Sequence, residues 1–153
     1  MTHVTRRFAA LVAAAAGLGI ASRARAADAK THRIAFHVDQ NDPAVMNQTL
    51  NNVSNIMEYY HSKGEQAQIE VVAYGPGLNM YREDKSPVKD RLQRIKDGSF
   101  PSNVVFVACG ITKAGMEKAE GHEVPLVPQA TILPSGVVRL TELQEQGWAY
   151  IRP

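Results

Sequence analysis

Five apolar runs alternate with four helix-like patterns along most of this sequence, which restricts the chain to a parallel sheet with helices on its faces. The run Val104-Val105-Phe106-Val107-Ala108 is the strongest of the five. It is apolar without alternation, so both its faces should be covered, and a strand over Asn103 to Ala108 is predicted to be central. The first run, about Arg33 to Asp39, alternates Ile34, Phe36 and Val38 with more polar neighbours and predicts a strand. Asp42 then suits an N-cap and Pro43 a first helical position. Met46, Leu50, Val53, Met57 and Tyr60 follow at helical spacing, and Gly64 supplies the stop. Further strands are predicted over Gln68 to Tyr74, Val127 to Leu133 and Trp148 to Arg152. The intervening helices carry Val88, Leu92 and Ile95 up to Gly98, then Ile111 or Thr112 to Glu120 ahead of Gly121, then Val137, Leu140 and Leu143 up to Gly147. The expected fold is an α/β three-layer sandwich with a mostly parallel five-stranded sheet.

Residues 1–26 read as an export signal and not as part of that fold. Arg6 and Arg7 precede the apolar stretch Phe8 to Ile20, and Ala24-Arg25-Ala26 is a small-x-small cleavage site. The apolar stretch is too short and too rich in alanine for a transmembrane helix. Thr5-Arg6-Arg7-Phe8, weak hydrophobicity, and basic Arg23 and Arg25 match a twin-arginine signal, with the Sec route as the alternative. A disordered or anchoring N-terminus is the bland alternative. The expected location is periplasmic, with no stable membrane insertion after cleavage and a single domain over residues 27–153.

Cleavage changes the charge of the chain. The full sequence has 17 basic and 15 acidic residues, and four of the arginines lie in residues 1–26, which leaves 13 against 15 and a net charge of −2. A surface so near neutrality has no field to attract nucleic acid or an anionic membrane. The densest charge segment, Tyr81 to Asp97, mixes both signs and reads as a solvated helix face.

Right-handed crossovers would gather the ends of the first four strands on one edge, where open α/β sheets bind ligands. Asp39 to Asn41, Gly75 to Gly77, Cys109-Gly110 and Ser135-Gly136 lie there. Cys109 is the single cysteine and has no internal disulfide partner. In an oxidising compartment it is buried and inert, paired between chains, or reactive. The Gly110 turn and the helix start after it would favour a thiolate, giving Cys109 a depressed pKa without a cationic neighbour.

The neighbouring candidates each carry two readings. His37 shares a strand face with Ala35 and Asp39 and either bonds a sulfur ligand or is a packed strand residue. Asp39, Gln40 and Asn41 supply polar ligand contacts or serve turn and cap chemistry before Pro43. Gly75 and Gly77 admit a ligand to the backbone or form an ordinary turn. Asn47, Asn51 and Asn55 recur at helical spacing, where they line a subunit interface or a solvated face. His32, His37, His61 and His122 are isolated, so no metal site is expected, and Ser135 does not stand in G-x-S-x-G.

Asn51-Asn52-Val53-Ser54-Asn55, Val71-Val72-Ala73-Tyr74-Gly75-Pro76-Gly77-Leu78, Phe106-Val107-Ala108-Cys109-Gly110, and the tail from Pro134-Ser135-Gly136 through Leu143-Gln144 to Trp148-Ala149-Tyr150-Ile151 recur here in a distinctive order. By these residues the sequence resembles the DsrE/DsrF family of small α/β proteins over nearly all of residues 27–153, as an exported member. The resemblance implies a sulfur relay in which Cys109 accepts a sulfane sulfur as a persulfide and passes it to a partner protein. It also implies a homo-oligomer, a trimer or hexamer, at which the asparagine row and the methionines hint. The leading expectation is therefore a carrier or sensor of sulfane sulfur without turnover and without a cofactor. Its first rival is a small-ligand-binding or assembly module in which Cys109 is structural. A thiol peroxide scavenger, needing a resolving thiol from another molecule, is the second.

Overall fold

A computed structural model describes residues 30–153; the export-signal reading over residues 1–26 lies outside the described residues. The chain forms β1 (Thr31–Val38), α1 (Pro43–Ser62), β2 (Gln66–Ala73), a 3₁₀ helix (Gly75–Tyr81) and α2 (Lys89–Asp97). It continues as β3 (Asn103–Cys109), α3 (Gly110–Glu120), β4 (Ala130–Leu133), α4 (Gly136–Glu145) and β5 (Ala149–Ile151). The five strands pair in the order β4-β3-β2-β1-β5, and every pairing is parallel.

Strand order decides where the helices lie. From β1 to β4 the chain steps one strand at a time in one direction, so right-handed crossovers set α1, α2 and α3 on one face. The connection from β4 to β5 runs back across the sheet, and α4 therefore lies on the opposite face. The two cores follow this division. Phe36, Val71 and Phe106 of the sheet pack with Met46 and Leu50 of α1, Leu92 of α2 and Tyr81. On the other face Ala35, Val72 and Val107 pack with Leu140 and Leu143. Truncating a buried phenylalanine such as Phe36 to alanine would cost about 3–5 kcal/mol.

Local signals set the helix ends. The Asp42 side chain accepts the Ala44 amide at 2.7 Å, Pro43 opens α1, and Gly64 adopts φ +70° just past its end. Gly98 caps α2, and Gly121, in the left-handed region, caps α3. Helix α3 begins at Gly110, one residue before the expected start.

Other details differ from expectation. The sheet's middle strand is β2; β3 is interior but lies between β4 and β2. Gly75-Pro76-Gly77 is no ordinary turn, because it opens a 3₁₀ helix that ends with Tyr81 buried and its hydroxyl donating to the Val71 carbonyl at 2.6 Å. Strand β4 starts at Ala130 and not at Val127, since the Val127 amide is taken by the Tyr81 carbonyl and Pro128 has no N–H to offer. Val137 is exposed and does not join Leu140 and Leu143 in the core.

The segment Tyr81 to Asp97 is only partly a solvated helix face. Its helix begins at Lys89, and Arg82 is 1 % exposed, with its guanidinium bonded to Asp84 and to Glu120 of α3. Burying that charge is tolerable because two carboxylates receive it.

Candidate functional site at the carboxyl edge of the sheet

Helix α3 leaves β3 toward one face of the sheet and α4 leaves β4 toward the other, so the crevice between diverging loops opens at the ends of β3 and β4. Cys109 stands there. It is the last residue of β3 and the N-cap of α3, in extended backbone at φ −72° and ψ 115°. It is 5 % exposed. Burial alone pushes its pKa up, but hydrogen bonds from the Thr112 side chain and the backbone amides of Gly136, Thr112 and Ile111 outweigh burial and hold it below the ordinary thiol value. Thr112 is oriented for this task, since its Oγ1 accepts the Gly75 amide at 3.0 Å and its own proton is left to donate.

The neighbours of Cys109 follow from register. Val38, Ala73 and Ala108 are aligned across β1, β2 and β3, and one step further Asp39, Tyr74 and Cys109 stand abreast on the face that α4 covers. Gly136 fits between the last two: a Cβ there would lie 3.2 Å from both the Cys109 Cβ and the Tyr74 Cβ. Tyr74 stacks on His37 with ring centroids 4.6 Å apart. Burial raises the Tyr74 pKa, and the negative ends of Asp39, Tyr150 and Cys109 add to that.

His37 is 7 % exposed. Its Nδ1 shares a 2.7 Å hydrogen bond with the Tyr150 hydroxyl, while Nε2 has no hydrogen-bond partner and lies 3.8 Å from Asp39 Oδ2. Burial lowers its pKa; Asp39 opposes that and Arg152 reinforces it, so the neutral ring is favoured. Asp39 is engaged by Arg152 at 2.7 Å. The edge strand β5 and the residue after it thus supply two members of the cluster. An unpartnered, buried imidazole nitrogen is ready to bond an incoming polar atom.

The remaining candidates divide. Gly75, at φ +52°, presents its amide to Thr112 and so supports the thiol site. Gly110 opens α3 against the Leu133 carbonyl, where a Cβ would come within 3.1 Å. Ser135 caps α4, accepting the Val138 amide at 3.5 Å. Gly77 packs directly against β1, where the Val38 carbonyl fills the space a Cβ would need, at 2.2 Å. Asn41 is exposed and takes no part in the cluster's hydrogen bonds, and Asp42 performs the capping. Asn47 and Asn51 do not form a purely solvated face, since both accept hydrogen bonds from Arg91 of α2.

Sequence reasoning missed Thr112, Tyr74, Tyr150 and Arg152. Thr112, a hydroxyl three positions after a strand-end cysteine at a helix start, was a readable signal. The other three gain significance only once β5 is known to lie beside β1.

Around the buried thiol the surface is apolar. Ile111 is 69 % exposed, and Ile132, Val137 and Val138 are each more than half exposed at the same edge. A cavity of about 310 Å³, lined by Leu133, Pro134, Ser135, Val138, Arg139 and Glu142, lies along the start of α4. Among the described residues no helix is long and apolar enough to cross a membrane.

No family model matches the sequence. No curated protein matches it. A solved structure does: MTH1491 from Methanobacterium thermoautotrophicum, a protein of unknown function, is similar at 32 % identity with a TM-score of 0.65, over 80 % of this chain and 99 % of that one.

Proposed function

We propose that this chain, which belongs to the same family as MTH1491, carries sulfane sulfur on Cys109. One observation carries the reading: the Cys109 thiol is buried at the N-cap of α3, where the Thr112 hydroxyl and nearby backbone amides hold its pKa below the ordinary value. A nucleophile of that kind is sheltered from stray oxidants and still available as thiolate. The sequence resemblance to the DsrE/DsrF proteins supports the same reading, and the export signal expected over residues 1–26 would place the chemistry in the periplasm.

In the proposed step the thiolate attacks the outer sulfur of a donor persulfide. A sulfur–sulfur bond forms at Cys109, the donor's own sulfur–sulfur bond breaks, and the donor leaves as its thiolate. The proton of the donor's S–H group stays with the transferred sulfur, so no external oxidant or reductant is needed. Tyr74, abreast of Cys109 on the same face and stacked on His37, would line the space beside the loaded sulfur. Transfer to an acceptor thiol reverses these roles, which makes the protein a carrier or sensor and not an enzyme with turnover.

Intact-mass analysis after exposure to polysulfide tests this. A single adduct of about 32 Da, one sulfur atom, is expected on the full chain and absent from Cys109→Ser. A wild-type protein that stays unmodified overturns the reading.

A second reading is favoured by the exposed apolar rim of Ile111, Ile132, Val137 and Val138. It is an assembly module in which this rim packs against another chain, a partner protein or further copies in a trimer or hexamer, and Cys109 is structural. Light scattering of the wild type and of Ile111→Lys separates the cases: a lower mass for the variant supports assembly through the rim.

A further inference from the structure

Beyond the cysteine site, we propose that the cleft between α1 and α2 binds a small amphiphilic anion, with its charged head at Arg91 and Arg94 and its apolar or planar body against Met57 and Phe100.

The charged end is built. Arg91 Nη1 donates to Asn47 Oδ1 at 2.6 Å and to the Asn47 carbonyl at 3.2 Å, and Nη2 donates to Asn51 Oδ1 at 2.7 Å. The Asn47 amide is itself fixed by donating to the Pro43 carbonyl at 2.8 Å. These partners orient the guanidinium without neutralising it. Among the described residues neither Arg91 nor Arg94 is in an ion pair with a carboxylate. Arg94 is one helical turn further along α2, so the two positive charges lie side by side. Asparagine is a poor residue inside a helix. Holding Arg91 in place accounts for two of the four in α1.

The cleft has room at that end and continues away from it. A cavity of about 410 Å³ is lined by Ser54, Met57, Arg91, Arg94, Ile95 and Gly98. A second, of about 270 Å³, shares Ser54, Met57 and Gly98 with the first and is lined further on by His61, Phe100 and Pro101. Phe100 is 90 % exposed. Water contact over a whole phenylalanine ring is unfavourable, and a ligand lying along the cleft would cover it. Glu58 lines only the second cavity, which assigns the anionic head to the arginine end. Phosphate, sulfonate and carboxylate heads share the required chemistry.

The probe is 1-anilinonaphthalene-8-sulfonate, a planar body with one sulfonate, titrated into the full chain by fluorescence. Saturable binding at one site per chain is expected, with N-phenyl-1-naphthylamine, which lacks the sulfonate, binding about tenfold more weakly. Arg94→Gln removes an exposed side chain with no hydrogen-bond or ion-pair partner among the described residues, and should weaken the sulfonate about tenfold with unchanged circular dichroism. Phe100→Ser should weaken both probes. Inorganic phosphate should compete with the sulfonate at millimolar concentration in the wild type and not in Arg94→Gln. Equal affinity of the two probes, undiminished binding by Arg94→Gln, or indifference to Phe100→Ser overturns the proposal. Cys109→Ser should bind the probe as the wild type does, so failure here and failure of the sulfur reading are separate results.

Discussion

The hydroxyl of Tyr150 lies 2.7 Å from Nδ1 of His37, a hydrogen bond between the edge strand β5 and the interior strand β1 across 113 residues of sequence. It fixes the imidazole ring while leaving Nε2 open. Tyr150→Phe should keep the ring of residue 150 in place and strip the His37 ring of its hydrogen bond at Nδ1. We expect a loss of about 1–3 kcal/mol in urea unfolding.

Thr112→Val removes one of the donors that hold the Cys109 pKa down. The thiol pKa should rise, and alkylation by iodoacetamide at neutral pH should slow by about tenfold. Unchanged reactivity would mean that the backbone amides alone set the thiolate.

Gly136→Ala and Gly77→Ala make a graded pair. At Gly136 the new methyl group meets Cys109 and Tyr74 side-chain atoms at 3.2 Å, which can give slightly, and a loss of about 1–2 kcal/mol is expected. At Gly77 it meets the Val38 carbonyl oxygen at 2.2 Å, and backbone cannot step aside. That variant should lose about 3 kcal/mol or more in chemical denaturation.

Arg139 bonds the buried carboxylate of Glu70 at 2.5 and 2.9 Å, pinning α4 to β2. Arg139→Met would leave a buried charge unpaired, with an expected cost of about 3 kcal/mol. The double variant Arg139→Met with Glu70→Leu should recover most of that loss, as a thermodynamic cycle would measure.

Acid should loosen the other end of the fold. Arg82 and, more weakly, Lys85 hold the Glu120 carboxyl down to about 2, against an ordinary value of 4.5, and Arg82 lowers Asp84 as well. The folded chain therefore binds its proton at Glu120 at lower pH than the unfolded chain does. The stabilisation is complete above about pH 4.5 and is lost as the pH falls toward 2. Glu120→Gln should flatten this limb of the pH-stability curve and lower stability at neutral pH.

Much of this could be read from local chemistry. Asp42 with Pro43, and Gly98 and Gly121, announce helix ends through their own backbone preferences, and the Cys109 position follows from an apolar run meeting a turn. What stayed hidden depends on contacts between distant segments. Arg82 looks like one more surface charge until Glu120, 38 residues later, is brought beside it. Tyr150 looks like an ordinary strand residue until β5 pairs with β1 and places it against His37. Asn47 and Asn51 of α1 likewise find their purpose in Arg91, on another helix.

The reversal of direction after β4 also orders events in time. Strands β1, β2 and β3 are joined by connections that close locally, whereas β5 must travel back across the whole sheet to reach β1. Long closures are slow to make, and a three-residue edge strand is easily released. The segment that carries Tyr150 and Arg152 should thus be set late in folding and open early in native fluctuations. Amide exchange at Ala149–Ile151 should outpace that of β2 and β3, baring His37 and Asp39 intermittently while the rest of the sheet stays shut.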